Sequence, residues 1–257
     1  MDADSWRLIV SEGLDPYRNI ALDEALARLA GSADRPATLR IYKNSRAAII
    51  GRFQSVDLEV DLKACSEEGV KVVRRFTGGG AVYHDEGTLN YSIAYNRTVK
   101  TASEDVGETF MRLGAGVLQG LRLLGLEGEL SEPNCILVDG KKICGAAGAM
   151  RWGSVFQHGS ILVTSDLSML AKILSPPKCC PEPSKRFVRS KVRPVTSINL
   201  ETGRKVSVED AAEALIQGFG RTLGAEFKRS EPQGDELELA ESLYLRVYSR
   251  PEWNLMH

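Results

Sequence analysis

Two arginines followed by three glycines are the residues of this 257-residue chain best suited to chemistry. Arg74 and Arg75 come before Phe76 and Thr77, and the glycines are residues 78–80. Glycines let backbone N–H groups approach a ligand closely and adopt positive φ, and guanidinium groups bind phosphate oxygens. The combination suits a nucleotide. For three glycines alone, the simpler interpretation is a hairpin turn beside solvated arginines.

The glycine run does not follow the two phosphate-binding patterns most often found in nucleotide-binding enzymes. The chain contains no Gly-x-x-x-x-Gly-Lys-Ser/Thr motif. It also contains no Gly-x-Gly-x-x-Gly that opens a helix ahead of an acidic residue. The sequence therefore disfavours both a P-loop enzyme and a Rossmann dehydrogenase.

A second candidate is one of two lysines after a predicted hairpin turn. Asp139-Gly140 is a preferred pair for a two-residue turn between strands. Strand alternation sends Lys141 and Lys142 to opposite faces, so one can point inward, although either lysine alone is more often solvated. Cys144 lies on the same face as Lys142 if the strand is regular. His158 falls on an apolar predicted strand, which is more typical of a hydrogen-bonded core residue than of a catalytic one.

The elements that must position these residues are strands and helices mixed along the whole chain. Hydrophobic periodicity predicts strands over residues 6–10, 38–43, 47–53, 70–76, 89–95, 135–138 and 155–164, with a return strand from 141. It predicts helices near 20–29, 58–68, 104–124, 207–223 and 236–248, and a short helix from 166. Alternation over 89–95 predicts a half-buried strand. No repeat or low-complexity linker separates the elements, so a single α+β domain over residues 1–257 is expected.

Composition and charge narrow the classes of partner. The chain is 43% hydrophobic and 26% charged with a formal net charge of -1, so no general attraction to nucleic acids or anionic membranes is expected. No apolar run is long enough for a membrane span, and the N-terminus is acidic, which makes a cytoplasmic location the default. Five cysteines without a Cys-x-x-Cys pair, and three histidines, argue against a disulfide scaffold and against a metal site.

The run from Arg74 to Asp85 closely resembles the Arg-Arg-x-x-Gly-Gly-Gly-x-Val-x-His-Asp signature of the lipoate-protein ligase A family, and Gly87 and Asn90 continue it. Segments that agree with the family in the same order are residues 19–24, 49–54, 134–145, 157–160 and 248–254. The resemblance therefore spans nearly the whole chain. It implies a biotin/lipoate ligase-like catalytic domain with mixed, mainly antiparallel β-sheets packed with helices.

The resemblance also implies roles for single residues. Lys142 would be catalytic and contact both the acyl carbonyl and the α-phosphate of an acyl-adenylate, which would stabilise charge in both half-reactions. Arg75 would hold the nucleotide phosphates, while His84 and Asp85 would order the loop. The implied substrate- and nucleotide-binding set, without metal ligands, is Arg75, Gly79, Gly80, Ala81, Val82, Tyr83, His84 and Lys142.

The activity implied by the resemblance is a two-step ligation. Lipoic acid would react with ATP, accompanied by Mg²⁺, to give lipoyl-AMP. The lipoyl group would then pass to a lysine of an apo lipoyl domain, on a 2-oxoacid dehydrogenase E2 or a glycine cleavage H protein. Many ligases of the family continue into a small C-terminal accessory domain that is not expected in this chain, so either a separate small subunit supplies it or the chain alone has weak activity. No nucleic-acid or membrane partner is expected.

Two rival interpretations follow from the same residues. The fold also hosts octanoyltransferases, which use a cysteine nucleophile and no ATP. Cys135 and Cys144 are most simply buried small residues. Cys179 and Cys180 fall roughly where one octanoyltransferase branch keeps its cysteine, beside basic residues that would lower a thiol pKa. Residues 187–198 look like the ligase form of this loop and favour the ligase. The second rival is a non-catalytic module that binds the acyl carrier. The presence of Arg75, the glycines and Lys142 together argues against it, because such a module would not need a phosphate site.

Overall fold

The structure, a computed structural model, describes residues 4–32, 34–98, 105–132, 134–174 and 187–256. Its strands are β1 (Asp4–Ser11), β2 (Thr38–Tyr42), β3 (Ala47–Ile50), β4 (Lys71–Arg74), β5 (Val82–His84), β6 (Thr88–Asn96), β7 (Glu129–Glu132), β8 (Cys135–Val138), β9 (Lys141–Arg151), β10 (Ser154–Leu162) and β11 (Ala225–Arg229). Its helices are α1 (Pro16–Leu29), α2 (Leu62–Glu67), α3 (Val106–Leu123), α4 (Leu167–Ile173), α5 (Ile198–Thr202), α6 (Val208–Leu223), α7 (Gly234–Leu243) and α8 (Pro251–Asn254).

The strands form a large and a small sheet. The large sheet has the order β11-β1-β2-β6-β10-β9-β8-β7, and the small sheet has the order β4-β3-β5. Pairing is antiparallel except for β1 with β11, β1 with β2, and β3 with β4. The prediction of an α+β fold with mixed, mainly antiparallel sheets is therefore confirmed. None of the described helices is long and apolar enough to cross a bilayer.

Three apolar clusters arrange these elements in layers. The largest lies between one face of the large sheet and the pair α3 and α6. The second joins α1 and α7 to the opposite face and to the small sheet, and the third covers the outer side of the small sheet with α2 and α4. The glycine run and the predicted hairpin are thereby brought to the region where the two sheets face each other.

Glycines allow α3 and α6 to cross closely. A Cβ added at Gly218 of α6 would lie 2.4 Å from the carbonyl oxygen of Gly116 and 2.5 Å from the amide nitrogen of Gly120, both in α3. Those neighbours are backbone atoms that cannot turn aside as a side chain can. The crossing therefore requires a residue without a side chain at position 218.

Several helices begin where a short polar side chain satisfies the first free N–H groups. The Asp15 carboxylate accepts from the amides of Tyr17 and Arg18, and Ser207 and Asp210 form a reciprocal capping box at the start of α6. The predicted helix over 207–223 begins at its cap, whereas the helix predicted over 20–29 begins about one turn earlier, at Pro16. Residue 104, the predicted start of the long helix, lies outside the described residues, and α3 begins after the Asp105 cap.

Two sequence predictions were wrong in detail. The predicted helix over 58–68 is shorter, because Asp61 caps a helix that starts at Leu62, and Val56–Leu58 forms a separate 3-10 turn. The strand predicted to be half-buried, β6, is buried on both faces. Asn90 and Ser92 alternate with its large apolar residues, and they face the buried polar layer below the small sheet rather than solvent.

Candidate functional site

The glycine loop lies between β4 and β5 and is held from within by Arg75. The Arg75 Nη2 donates to the carbonyl oxygens of Gly78 and Gly80 at 2.7 and 2.8 Å, and Nη1 donates to the Ile49 carbonyl at 3.1 Å. Burial lowers the pKa of Arg75 to about 10, so the group stays protonated at neutral pH. Arg75 lines the cavity described below, but its hydrogen bonds serve the loop itself. A direct hold on phosphate stays a prediction.

Arg74 points away from the site, which corrects the expectation that both arginines supply charge to phosphate. Its side chain is fully buried and donates to the carbonyl oxygens of Gln54 at 2.6 Å, Trp253 at 2.8 Å and Met256 at 2.6 Å. The Arg74 amide donates to Asn254 Oδ1 at 2.9 Å. Arg74 therefore anchors the C-terminal helix to the strand that leads into the glycine loop.

Two glycines are required by the close path of the loop. Gly79 has φ 90°, a conformation that side chains disfavour. A Cβ on Gly51, which follows β3, would lie 2.1 Å from the Gly79 carbonyl oxygen. The loop backbone thus packs directly on the end of the small sheet. Gly80 and Ala81, which follow Gly79, line the first of the cavities described below.

Lys142 lies on the predicted hairpin, but an irregular register sets its direction. Asp139 and Gly140 both have positive φ, as the predicted turn requires. Cys144 pairs with Ile136, whereas Lys142 pairs with Leu137, so Ile143 is an extra residue between the two pairs. Lys142 and Cys144 therefore lie on opposite faces, and the regular-strand expectation was wrong. Cys144 faces the large core, and the Lys142 side chain lies over Gly145.

The chain from 187 to 196, which we call the strap, crosses both the glycine loop and the hairpin. At one end, the Ser190 hydroxyl accepts from the Ala81 amide at 2.8 Å and from Gln54 Nε2 at 3.0 Å. At the other end, the Lys142 amide donates to the Pro194 carbonyl at 2.8 Å, and the Thr196 amide donates to the Lys142 carbonyl at 2.9 Å. The strap therefore fixes the positions of the glycine loop and Lys142 relative to each other.

Two cavities of about 330 Å³ each meet at Lys142. Both are lined by Ala81 and Val82 of the glycine loop, by Lys142 and by the strap. The first extends to Ile20, Tyr42, Ile49, Arg75, Gly79, Gly80, His84 and His158, and the second to Leu58, Tyr83, Leu162, Leu170 and Leu174. All eight residues of the predicted set therefore border one connected region.

A buried polar network backs the first cavity. Asp23 accepts from Arg40 at 2.7 Å and His158 Nδ1 at 3.0 Å, and also bonds Tyr42 and Ser92. Burial by itself would raise the pKa of Asp23, but the hydrogen bond from His158 and the charge of Arg40 hold it below its ordinary value. Burial lowers the pKa of His158 against the pull of Asp23. A neutral His158 then accepts at Nε2 from the Thr77 hydroxyl, 2.8 Å away.

His84 and Asp85 follow the glycine loop and make their hydrogen bonds outside it, so their role in ordering the loop stays a prediction. Asn44 Nδ2 donates to His84 Nδ1 at 3.0 Å, and Asn44 Oδ1 accepts from Asn19, which leaves the His84 proton on Nε2. Burial, with Arg75 and His158 nearby, lowers the pKa of His84 to about 3. The buried Nε2 has no partner among residues the structure describes. Asp85 accepts from the amides of Gly87 and Asp166 at 3.0 and 2.8 Å.

Comparison with known proteins agrees with this geometry. Residues 15–220 match the family model described as the lipoyl protein ligase A/B catalytic domain. The chain belongs to this family. It is 37% identical to the lipoate-protein ligase A subunit 1 of Thermoplasma acidophilum, across 92% of this chain and 91% of that protein. It is 32% identical to the octanoyltransferase LipM of Brevibacillus brevis, across 98% of this chain and 99% of that protein.

Two solved structures are similar over nearly their whole length. One belongs to an archaeal lipoylation system from Thermoplasma acidophilum, a bi-partite lipoate protein ligase and its E2 lipoyl domain. That structure matches with a TM-score of 0.85 at 34% identity, and the match covers 98% of both chains. The other is a lipoate-protein ligase A bound with ATP, with a TM-score of 0.84 at 34% identity and 98% coverage of both chains. This member of the lipoyl ligase A/B family is therefore an enzyme whose relatives include ligases and octanoyltransferases.

The cysteines of this lipoyl ligase A/B family member fall into two groups. Cys65, Cys135 and Cys144 are buried free thiols, and Cys135 borders the first cavity. Burial raises the pKa of Cys144 to about 12 despite the nearby charge of Lys142, which makes it a poor nucleophile at neutral pH. Cys179 and Cys180, the other candidates for a transferase nucleophile, lie outside the described residues.

Sequence reasoning missed the residues that hold the strap. Glu59 is 4% exposed, and its carboxylate accepts from the Ser190 amide at 3.2 Å and from Arg189 Nε at 3.0 Å. No periodic pattern marks Glu59, because it follows a 3-10 turn. The signal that was available is the basic run of the strap, for which acidic residues elsewhere in the chain are candidate partners.

Proposed function

We propose that this enzyme is a lipoate-protein ligase that uses ATP to activate lipoate as lipoyl-AMP and then acylates a lysine of a lipoyl domain. The carboxylate of lipoate attacks the α-phosphorus of ATP, an acyl–oxygen–phosphorus bond forms, and pyrophosphate leaves. The amine of the carrier lysine then attacks the acyl carbonyl, and AMP leaves with the bonding electron pair. The chain's own residues position these groups and neutralise their charge.

The observation that carries the proposal is the position of the Lys142 ammonium. It is half-buried at the junction of the two cavities and has no ion-pair partner among the described residues. An unpaired ammonium in a partly dehydrated site favours an anionic ligand, and the junction is where an acyl group in one cavity would meet a nucleotide in the other. The other cavity cations, Arg189, Lys191 and Arg193, add to the positive potential.

ATP dependence is supported by the similar ligase that binds ATP and by the glycine loop at the edge of the first cavity. Magnesium would enter with the nucleotide, because Mg²⁺ at such sites is held largely by substrate phosphates and water. Among the described residues no group of three or more acidic, histidine or cysteine side chains gathers to hold a metal. Glu132 is the carboxylate bordering the first cavity and is already paired with Lys191 and Arg193.

A lipoyl domain is the proposed carrier, and a separate small subunit is the proposed accessory partner. The support is the similar archaeal lipoylation system, which consists of a bi-partite lipoate protein ligase and its E2 lipoyl domain. The relative in Thermoplasma is likewise a subunit 1, and this chain spans 91% of it. We therefore expect full acylation of the carrier to need a second small protein, whereas the adenylate site lies in this chain.

The second candidate is an ATP-independent octanoyltransferase. The support is the identity of 32% with LipM over almost the whole chain, together with Cys179 and Cys180 in the part of the chain not described. This function would need a reactive thiol near the carbonyl. The described cysteines are buried, and an unpaired ammonium between two cavities favours the phosphate chemistry of the ligase.

The deciding experiment supplies lipoate and ATP in one reaction and octanoyl carrier protein without ATP in another, each with an apo lipoyl domain. Pyrophosphate release and lipoyl-domain acylation in the first reaction only are expected. Transfer in the second reaction that is lost in Cys179→Ser or Cys180→Ser would assign the transferase instead. The proposed accessory subunit should be added in a parallel pair of reactions.

The matched test of Lys142 uses its neighbour as control. Lys142→Ala is expected to abolish lipoyl-AMP formation, because no other described cation occupies the junction of the cavities without a partner. Lys141 points to the other side and donates to Glu201 at 2.6 Å, so Lys141→Ala should keep the activity. Equal activity in both variants would remove Lys142 from the mechanism. Circular dichroism checks that both remain folded.

A further inference from the structure

The cations around the two cavities are not equally free to bind a ligand. Arg75 is committed to the loop carbonyls. Arg189 is paired with Glu59, whose side chain is 3% exposed, and removing Arg189 would leave a buried carboxylate without its charge partner. Lys142 occupies the junction where the α-phosphate is proposed to lie. The cavity cations left for further phosphates are Lys191 and Arg193.

Lys191 and Arg193 converge on one oxygen atom. Lys191 Nζ lies 2.9 Å and Arg193 Nη2 lies 2.7 Å from the same oxygen, Oε1 of Glu132. Two cations around a single anionic oxygen form the arrangement that a phosphate oxygen requires. The hydrogen bond from Lys191, with Arg193, keeps the pKa of Glu132 below its ordinary value, so the carboxylate is charged.

The contacts with Glu132 can be exchanged at low cost. The side chains of Lys191, Arg193 and Glu132 are 72%, 31% and 32% exposed, and ion pairs with this much water contact contribute little to stability. All three residues border the first cavity, and the two cations also border the second. The backbone of the strap is meanwhile fixed against Lys142 at Pro194, next to Arg193.

We propose that Lys191 and Arg193 form the subsite for the β- and γ-phosphates of the nucleotide, and that the Glu132 carboxylate holds these two cations together until the nucleotide replaces it. This subsite rests on the proposed ligase function and extends it. It binds the group that leaves as pyrophosphate, so it acts in the adenylation step only. Transfer of the acyl group from a finished adenylate does not use it.

The test compares the binding of ATP and AMP by titration calorimetry in the wild-type chain and in a Lys191→Ala/Arg193→Ala double variant. ATP should bind about tenfold or more weakly to the variant, while AMP affinity should be unchanged, because only ATP carries the two phosphates. Glu132→Gln should shift ATP affinity in the opposite direction, since the competing charge is gone. Formation of lipoyl-AMP should fall more in the double variant than acylation of an apo lipoyl domain from preformed lipoyl-AMP, because only the first reaction binds the β- and γ-phosphates.

Lys172→Ala is the matched control, because Lys172 also forms an exposed pair with a glutamate, Glu68, but borders neither cavity. An equal loss of ATP and AMP binding in the double variant would assign the strap a structural role and overturn the subsite. If the wild-type chain makes lipoyl-AMP and the double variant binds ATP as tightly as the wild type, the subsite is overturned but the ligase function stands. A wild-type chain that binds neither nucleotide would overturn both this proposal and the ligase function.

Discussion

At the scale of single residues, two described thiols border the cavities, but both are much more buried than the half-buried Lys142. Cys135 and Cys144 are 5% and 2% exposed, and the pKa of Cys144 is raised to about 12 by burial. We expect Cys135→Ala and Cys144→Ala to keep most of the proposed ATP-dependent acylation activity. A collapse of acyl transfer in either variant, with the fold intact by circular dichroism, would place a nucleophile among the described thiols.

His84 gives a prediction for the pH dependence of stability. Its pKa is about 3 in the folded chain and near 6.5 when unfolded, so the unfolded chain binds the proton more readily between these values. The neutral ring therefore stabilises the fold above pH 6.5, and this contribution is lost as the pH falls below it, by about 1.4 kcal/mol per pH unit.

His84→Gln should remove this part of the slope. Urea unfolding of both proteins between about pH 4 and pH 7 measures it, and the difference in unfolding free energy between wild type and variant should shrink as the pH falls. Parallel curves for the two proteins would mean that His84 has a similar pKa in the folded and unfolded chains. His158→Gln is a useful comparison, because burial lowers the pKa of His158 in the same direction.

The sequence predicted which residues border the site more successfully than it predicted what they contact. The set from Gly79 to His84 is local in the chain, so one motif locates all of it. Arg74 and, in part, Arg75 bond carbonyl groups of distant segments, at 253–256 and 49, and these contacts depend on how the sheets meet. A hydrogen-bond partner of this kind leaves no spacing pattern in the sequence.

At the scale of elements, the crossing of α3 and α6 is set by glycines. Gly218→Ala should lower the free energy of unfolding by about 1–3 kcal/mol, because the added methyl group meets backbone atoms of Gly116 and Gly120. Gly234→Ala at the start of α7 is the control, since a Cβ there meets nothing within 4 Å. Thermal and urea unfolding of both variants measure the difference. A Gly218→Ala variant as stable as wild type would show that the helices can separate without loss.

Helices and strands were predictable where one face is apolar and a cap or turn marks the end. The hairpin at Asp139 and the capped start of α6 at Ser207 are of this kind. Short edge strands were not: β5 and β11 have three and five residues and one strand neighbour each. The strand β6 was predicted, but it is central in the sheet and both its faces are covered. Alternation in β6 therefore separates a buried apolar face from a buried polar face. Periodicity alone does not distinguish a buried polar face from one exposed to solvent.

At the scale of the whole molecule, the C-terminal helix and the glycine loop are joined through Arg74. Removing residues 251–257 should lower the unfolding free energy by about 3 kcal/mol or more, because the fully buried guanidinium loses the carbonyls of Trp253 and Met256. The KM for ATP should rise as well, since β4 leads directly into the loop. Leu255→Ala, at a position 39% exposed, is the control and should change neither quantity. A truncated protein with normal stability would contradict the anchoring role.

The extra residue at Ile143 means that this hairpin can be one residue shorter without turning Lys142. Without Ile143 the two strands would pair regularly, with Lys142 still opposite Leu137 and Cys144 still opposite Ile136, so the two side chains would keep their opposite faces. A deletion at this position should therefore lower stability, because a buried apolar side chain is lost, and leave the direction of the ammonium unchanged. Natural length variation in this hairpin is accordingly expected at this position first.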